Sequence, residues 1–274
     1  MFFRYDKGVR IPVDLDNMFS GSCFIAGGHP SLLKENLELL KQPGIPVISI
    51  NNTASKIPTN IWIGMDKPMC YSSRILLDPK IMKFSVVSRR DLLVPTNNIK
   101  IGTKMKDLQN MYFFGTNENF NIHNFLNSQR DFVWWKNTFY DVIQLAYRLG
   151  FRRVYLIGCG FKISKEQQYS YKTNLDNHQI NYNQRTYNNF VEKMKLLKPH
   201  FKQKGFEIIS CTPDSALNDF YPFMKFEDAV KEILKDFPKE YNTEKCLHSS
   251  EMASEKLKNI EALKEIVRKG SKII

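Results

Sequence analysis

Residues 22–36, SCFIAGGHPSLLKEN, decide the fold, because an apolar run ends there at two glycines and a helical pattern follows. The run 22–26 predicts a buried strand, and Ser31 is placed to cap a helix over 31–41. Glycines let a backbone approach a phosphate, and a helix N-terminus offers free N–H groups. The stretch therefore predicts a phosphate-binding loop, although a tight structural turn would need the same glycines.

Further short apolar runs resemble the first, and each ends in a polar or glycine-bearing turn. Such runs, rich in Ile and Val, are typical of strands buried on both faces. Helical patterns separate several of them, which indicates a mostly parallel sheet. We predict an α/β fold with a Rossmann-like, mostly parallel sheet flanked by helices. The predicted strands are 22–26, 46–50, 61–65, 111–114, 153–158 and 206–211.

Two helical patterns are clear. Segment 138–149 has apolar residues at helical spacing, and Thr138 with Asp141 resembles a capping box. Segment 186–198 has an apolar face and ends before Pro199. Each leads into a predicted strand, as the crossover helices of a parallel sheet do.

The predicted organisation is a Rossmann-like nucleotide-binding domain over residues 1–237 with a C-terminal helical appendage over 238–274. Residues 162–185 are irregular and rich in Asn, Gln and Tyr, which favours either a disordered loop or an inserted lid over a site. Residues 251–274 show an amphipathic helical pattern. Such a helix docks on the protein's own core or on a second subunit, so a homo-oligomer is one expectation.

Charge and cysteine content restrict the partners and the compartment. The net charge of +12 over 274 residues favours an anionic partner such as a nucleotide, DNA or a membrane surface; a basic surface without a specific partner is the simpler interpretation. The five cysteines form no Cys-x-x-Cys pair and fit free thiols in a reducing compartment. No apolar run approaches the roughly 18 residues of a transmembrane segment. We expect a cytoplasmic protein.

Polar or small residues follow nearly every predicted strand at the same edge. Ligands of open parallel sheets bind outside the carboxyl ends of the strands, so these residues are predicted to converge on one site. The nucleotide-binding candidates are Gly27, Gly28, Pro30, Ser31, Asn51, Asn52, Asp66, Asn137, Thr138, Gly158, Gly160, Thr212 and Ser215.

Signatures of other chemistries are weak. The sequence contains no P-loop, HExxH, GxSxG or Cys/His cluster, so we predict no metal and no tightly bound cofactor. The DxD triplet at 14–16 precedes the first predicted strand, and we attribute it to chance. The lysines of 193–204 indicate either a solvated helix face or an electrostatic footprint for nucleic acid.

The order of motifs resembles two related groups, the bacterial lipooligosaccharide sialyltransferases and the archaeal 6-hydroxymethylpterin diphosphokinase-like proteins. GGHPSL is similar to their GxGPSL opening, LAYRLGFRRVYLIGCGF to the segment that ends in GxDF, and CTPDSALNDF to their closing segment. Asn51 stands where the sialyltransferases have an Asn after the second strand. Asp66 resembles the Asp after the third strand of the pterin group, where the sialyltransferases carry Asn. The resemblance spans residues 22–220. The chain looks closer still to uncharacterised tailed-phage proteins with WxxxDxP and DPxIxKF segments, which would place it in the cytoplasm of a host cell.

The resemblance implies roles for particular residues. In the sialyltransferases a CMP-sugar lies across the strand ends without a metal, lid tyrosines hold the donor phosphate, and a His before the next helix is the general base. The matching residues here are Tyr169, Tyr171 and His178. Two positions depart from the pattern, because His29 replaces a Gly of the opening motif and Gly160 replaces the Asp of GxDF.

We therefore expect a metal-independent, sialyltransferase-like glycosyltransferase with a nucleotide sugar as co-substrate. Its acceptor is unknown, and a modified DNA base is one hypothesis. An alternative is a Mg²⁺-dependent diphosphokinase-like phosphotransferase with Asp66 as a metal ligand. A third is a non-catalytic phage accessory protein that binds nucleotides or nucleic acid, whose affinity for DNA would fall steeply with salt.

Overall fold

A computed structural model of the chain describes residues 1–95, 102–117, 122–127, 131–133, 137–171 and 173–235. The predicted appendage at 238–274 lies outside these residues. The α-helices of the described part are α1 (Ser73–Leu77), α2 (Thr138–Arg148), α3 (Asn177–Gln203) and α4 (Phe226–Lys235). Its strands are β1 (Phe2–Asp6), β2 (Val9–Val13), β3 (Ser22–Ala26), β4 (Val47–Ile50), β5 (Ile61–Ile63), β6 (Met82–Val86), β7 (Met111–Phe114), β8 (Thr116–Asn117), β9 (Phe132–Val133), β10 (Arg153–Ile157) and β11 (Glu207–Ser210).

In the described part, nine strands form one sheet in the order β11-β10-β3-β4-β5-β6-β7-β1-β2. The strands from β11 to β7 are parallel, and β1 and β2 add an antiparallel hairpin at one edge. Helices α2 and α3 pack on one face, and α4 packs on the other. The predicted α/β fold, with a mostly parallel, Rossmann-like sheet flanked by helices, is confirmed.

The central strands are buried on both faces, as their continuous apolar runs predict. Residues of β3 alternate between two cores, since Cys23 and Ile25 join the α2–α3 side and Phe24 joins the α4 side. Every side chain of β4 is buried as well. A parallel sheet covered by helices on both faces needs this composition. Cys159 and Cys211 are buried free thiols like Cys23, as predicted.

Helix α2 begins where predicted, but its cap differs. Asn137 is the N-cap, and its side-chain oxygen accepts a hydrogen bond from the Phe139 N–H at 2.9 Å. The predicted capping box of Thr138 and Asp141 is wrong, because Asp141 is completely buried and neither carboxyl oxygen has a hydrogen-bond partner in the described residues. Burial raises the pKa of Asp141 well above its ordinary value.

Asp141→Asn is expected to stabilise the protein at neutral pH. Because the folded-state pKa is raised, the unfolded chain releases this proton first, and the free energy of unfolding falls as the pH rises above about 4 toward the folded-state pKa. Asn has the same shape and cannot ionise. The gain should be about 1 kcal/mol or more at neutral pH, or about 2–4 °C in Tm, and should disappear at acidic pH.

Thermal unfolding as a function of pH measures this difference. Asp228→Asn is the matched control, because exposed Asp228 accepts a hydrogen bond from Lys231 at 2.9 Å, and this bond lowers its pKa. Neutralising Asp228 should therefore not raise the Tm at neutral pH. If the difference between wild type and Asp141→Asn did not change with pH, the buried carboxyl would not be the protonated group that its burial requires.

Helix α3 is much longer than the predicted segment 186–198. It begins at Asn177 behind a capping box of Asp176 and Gln179, and it passes through Pro199 to its end. The predicted bounds are wrong at both ends. The stretch before residue 186 lacks a strong apolar period, and the proline does not end the helix. The end of the predicted lid is consequently helical.

The sequence patterns missed the hairpin β1–β2, strand β6 and helix α4. In β6 the buried Lys83 interrupts the apolar run, and its ammonium donates to the carbonyl oxygens of Asp78 and Ile81 at 2.6 and 2.9 Å. Residues 78–81 of the DPxIxKF segment thus form the turn before β6, and Lys83 of the strand closes it. Asp16 of the DxD triplet pairs with buried Arg148 at 3.0 Å, which gives it a structural role. None of the described helices has the length and apolar character needed to cross a bilayer.

Candidate functional site

The carboxyl ends of β3 and β10 form a topological switch point. The chain leaves β3 toward β4 on one side, and β10 lies on the other side. Ligands of open α/β sheets bind in the crevice that such a reversal creates. The turns after these two strands contain the predicted glycines at 27, 28, 158 and 160.

The two turns meet at Gly27 and Gly158. Gly158 has a φ of +59°, and a Cβ on it would lie 2.5 Å from the Gly27 carbonyl oxygen. A Cβ on Gly27 would lie 2.5 Å from the Gly158 oxygen and 2.8 Å from the Phe139 ring. These glycines serve the close approach of two backbones, and no room for a ligand remains between them.

The turn after β3 uses its N–H groups within the protein. The Gly27 N–H donates to Ile157 at 2.8 Å, and the His29 N–H donates to Gly158 at 2.9 Å. The Ser31 N–H donates to His29 Nδ1 at 3.3 Å, so the prediction that Ser31 is the N-cap is wrong and His29 has that place.

The helix predicted over 31–41 is also wrong, since two 3₁₀ helices, Pro30–Lys34 and Leu37–Lys41, occupy this segment. Pro30 opens the first, where its missing N–H is tolerated. Helices this short contribute little dipole at their ends. A phosphate at this edge would therefore depend on side chains around it.

The imidazole of His29 lies against Gly160. A Cβ on Gly160 would lie 2.5 Å from the ring Cδ2 and 2.6 Å from Nε2, so any side chain there would displace the ring. His29 Nδ1 also lies 2.9 Å from Ser31 Oγ, whereas Nε2 makes no hydrogen bond with the described residues. Burial lowers the pKa of His29, and the charge of Lys162 lowers it further. The ring is therefore neutral at neutral pH.

Two lid tyrosines cover Gly28. The rings of Tyr169 and Tyr171 are stacked, with centroids 5.2 Å apart and planes 6° apart. A Cβ on Gly28 would lie 3.0 Å from the Tyr171 ring and 3.2 Å from the Tyr169 ring. The backbone between them is fixed, because the Ser170 N–H donates to the Gly28 oxygen at 2.7 Å. The segment predicted as a lid thus lies closed on the glycine turn.

The hydroxyl of Tyr169 belongs to a polar group beneath the lid. It lies 3.1 Å from the Tyr187 hydroxyl and accepts a hydrogen bond from Asn183 Nδ2 at 3.2 Å. Burial raises the pKa of both tyrosines, so both are protonated at neutral pH. One O–H proton lies between the two oxygens, and the other is available to a ligand.

These groups line a narrow cleft beside the two turns, the lid and α3, and its empty volume of about 240 Å³ includes space that is open to solvent. Its polar wall includes His29, Lys162, Tyr169 and Tyr187, and its described lining contains no Asp or Glu. Polar groups that converge in a concavity are typical of a binding site, and a cation without a facing carboxylate favours an anion. The lining therefore favours an anionic group, but the enclosed space of about 10 Å³ holds about one water molecule, so a ligand as large as a nucleotide requires the lid to move.

Thr212 and Ser215 support the cavity from behind. The Cys159 N–H donates to Thr212 Oγ1 at 3.0 Å, and Ser215 Oγ donates to the Cys159 oxygen at 2.7 Å. Both side chains are buried. They hold the turn between Gly158 and Gly160 in place, so their position is structural and they do not line the cavity.

Asn51 and Asn52 organise the end of β4. Asn51 has a φ of +51°, and its carbonyl oxygen accepts from the Trp62 indole at 2.8 Å. The Asn52 side chain bonds the Cys70 oxygen and the Ser72 N–H at 2.8 and 2.9 Å, which is a structural role. The Asn51 side-chain oxygen is buried without a hydrogen-bond partner in the described residues, and Asn51 does not line the cavity.

Asp66 is exposed after β5. Its N–H donates to the Tyr71 hydroxyl at 2.6 Å, which fixes the loop. Burial raises the pKa of Tyr169 and Tyr171, and the negative charge of Asp66 contributes in the same direction. The carboxylate therefore lies on the lid side of the sheet edge.

Asn137 and Thr138 lie at the same edge, at the start of α2. The Asn137 side-chain oxygen caps the helix, and its Nδ2 is buried without a hydrogen-bond partner in the described part of the chain. Phe139 of this turn lines the cavity.

The structure does not bring His178 to the cavity. The prediction that His178 precedes the helix is wrong. His178 lies exposed in the first turn of α3. Ile180, Asn183 and Tyr187 share the inward face of α3, and His178 lies about 200° around the helix from Ile180. The geometry gives no support to a general base at this position.

Two lysines of the basic stretch pack on the protein itself. Lys195 lies over the Phe220 ring at 4.9 Å, and Lys198 donates to the Phe220 carbonyl oxygen. A solvated helix face is the better interpretation of this stretch. Within the described residues, no group of three or more His, Cys, Asp or Glu side chains could hold a metal.

Sequence reasoning missed Lys162, Tyr187 and the place of His29 in the cavity wall. The periodicity of α3 placed Tyr187 on the buried face and said nothing of its hydroxyl. In the sequence, His29 was noted only because it replaces a Gly of the GxGPSL motif. Comparison with known proteins finds no matching family model, no similar curated protein and no similar solved structure.

Proposed function

We propose that the chain is a metal-independent glycosyltransferase that uses a nucleotide sugar as donor. The observation that carries the proposal is the covered cavity at the switch point, where a phenol pair, an imidazole and Lys162 meet. Strand ends of this kind bind nucleotides. The lid opens to admit the donor in this proposal, and its closure over the bound donor keeps away water that would hydrolyse it.

In the proposed reaction the bond between the sugar and the donor phosphate breaks, and an acceptor hydroxyl forms the new bond to the sugar. The departing phosphate gains negative charge, which the available phenol proton of Tyr169 or Tyr187 and the ammonium of Lys162 stabilise. The acceptor proton goes to Asp66, the exposed carboxylate on the lid side.

The net charge of +12 supports an anionic acceptor, and a modified DNA base stays our hypothesis for it. The affinity of the protein for DNA would then fall steeply as the salt concentration rises. Transfer to glucosylated or hydroxymethylated oligonucleotides, compared with unmodified ones, tests this part separately.

A thermal-shift screen with CMP, UDP, GDP, ADP, ATP and their sugars, in EDTA and in Mg²⁺, tests the function. A ligand at 100 times its Kd adds about 2.7 kcal/mol of stability. Stabilisation by one nucleotide in EDTA supports the transferase and names its donor, and release of nucleoside phosphate from the matching sugar then measures turnover. Asp66→Asn should keep nucleotide binding and lose transfer.

Two outcomes would contradict the proposal. Stabilisation by Mg²⁺-ATP alone would favour the diphosphokinase-like reaction, with Asp66 as a metal ligand. No response to any nucleotide would exclude both enzymes and leave a binding protein for nucleic acid.

A further inference from the structure

We propose that His29 contacts the ligand's phosphate as a neutral hydrogen-bond donor through Nε2, and that Gly160 is the residue that gives the imidazole this place. The inference rests on the proposed function only in assuming that a nucleotide occupies the cavity. It assigns His29 a specificity role that differs from general-base catalysis.

The hydrogen bonds of the turn fix the tautomer. The Ser31 N–H points at His29 Nδ1 at 3.3 Å, and an N–H can only donate, so Nδ1 must be the acceptor. The proton of the neutral ring then lies on Nε2. A base would need a lone pair at Nε2, which this tautomer lacks, whereas a phosphate oxygen needs the donor that it offers.

The position of the ring depends on the absence of a side chain at residue 160. A Cβ there would lie 2.5 to 2.7 Å from Cδ2, Nε2 and Cγ of His29. These contacts are closer than packed atoms tolerate, so a carboxylate or even a methyl group at 160 could not coexist with this rotamer. His29 and Gly160 therefore act as one unit.

The surrounding charges favour an anion beside this donor. Lys162 lines the same cavity, and Lys162 and Lys34 both disfavour a proton on Nδ1, while Asp214 acts in the opposite direction. Burial has the largest effect and also favours the neutral ring. Lys162 thus supplies the positive charge of the site, and the neutral ring of His29 supplies a directional hydrogen bond.

The test compares His29→Phe and His29→Gln with the wild type in binding to CMP, UDP, GDP and ADP and to the four matching nucleosides. Phe keeps a ring without a donor, and Gln keeps an amide donor near the Nε2 position. His29→Phe should bind the nucleotide about tenfold more weakly and its nucleoside unchanged. His29→Gln should recover most of the loss. Wild-type affinity should not rise as the pH falls from about 8 to 7, since a neutral donor needs no added proton.

Gly160→Ala separates the contact from folding. It keeps His29 but displaces the ring, so it should show the same selective loss for the nucleotide, while the Tm without ligand reports any structural damage. Equal nucleotide affinity in His29→Phe and wild type would overturn the assignment and leave the transferase standing. Equal losses for nucleotide and nucleoside would overturn it too. A wild type that binds no nucleotide would overturn the proposed function itself.

Discussion

Gly158→Ala is expected to lower the Tm of the protein by roughly 10 °C. Gly158 has a φ of +59°, where a Cβ costs roughly 1–2 kcal/mol. That Cβ would also lie 2.5 Å from the Gly27 carbonyl oxygen, a backbone atom in the centre of the sheet edge that cannot swing away. Overpacking of this kind adds about 1–3 kcal/mol. A total of about 3 kcal/mol corresponds to the stated shift for a domain of this size.

Gly205→Ala is the matched control for this variant. Gly205 has a φ of +63°, nearly that of Gly158, but nothing lies within 4 Å of the Cβ it would gain. Its replacement should cost only the backbone strain of a left-handed residue, about 2–8 °C in Tm. Thermal unfolding of the two variants side by side gives the cost of crowding alone. Equal shifts would mean that β3 and β10 do not meet at this point.

Tyr169→Phe is expected to lower kcat for glycosyl transfer about 100-fold, the effect of removing one preorganised donor from a site of developing negative charge. The Tyr169 hydroxyl lies 3.1 Å from that of Tyr187 and accepts from Asn183, so Phe breaks the phenol pair and leaves the ring stack intact. Because the contact strengthens as the phosphate leaves, KM should change much less than kcat. Steady-state turnover of the donor identified by the screen measures both constants.

Two other tyrosines provide controls. Tyr182→Phe alters a side chain that is 58% exposed on the same helix as Tyr187, and it should leave kcat unchanged. Tyr171→Phe keeps the stacked ring and should cost much less than Tyr169→Phe, since the described hydrogen bonds beneath the lid involve Tyr169. An unchanged kcat in Tyr169→Phe would remove the phenol pair from the reaction.

The central strands could be predicted from the sequence because local pattern and tertiary burial agree there. The bounds of β3 and β7 match the apolar runs 22–26 and 111–114 to the residue, since turn residues bracket each run. β6 could not be found in this way. Its Lys83 is completely buried and satisfied by carbonyl oxygens, an arrangement that only the folded turn creates.

Helix bounds were predicted less well, for reasons that the contacts explain. The capping box of Asp176 and Gln179 is readable in the sequence, but the polar stretch after it has no apolar stripe strong enough to indicate a helix. Asp141 was assigned to a capping box from its spacing alone, whereas its turn of α2 is buried. Spacing does not reveal which face of a helix meets the core.

The sheet edge that carries the candidate site was predictable, and its chemistry was not. Parallel strands place their carboxyl ends at one edge, so the turns at Gly27 and Gly158 were expected at the same edge. That β10 lies next to β3 was not predicted. That these glycines pack on each other, and that His29 fills the space beside Gly160, depends on distances between residues over a hundred positions apart. The hydroxyl of Tyr187 reaches that of Tyr169 because α3 extends under the lid, and the predicted helix bounds did not show this.

Titration calorimetry of the wild-type protein with CMP, UDP, GDP and ADP in EDTA tests the central claim most directly. A nucleotide pocket at the β3–β10 edge predicts that one of them binds at a single site with a Kd between about 1 μM and 1 mM, the range common for enzyme substrates. Gly160→Ala should weaken that binding. The absence of binding to all four, or binding that appears only when Mg²⁺ is added, would contradict a metal-independent nucleotide site.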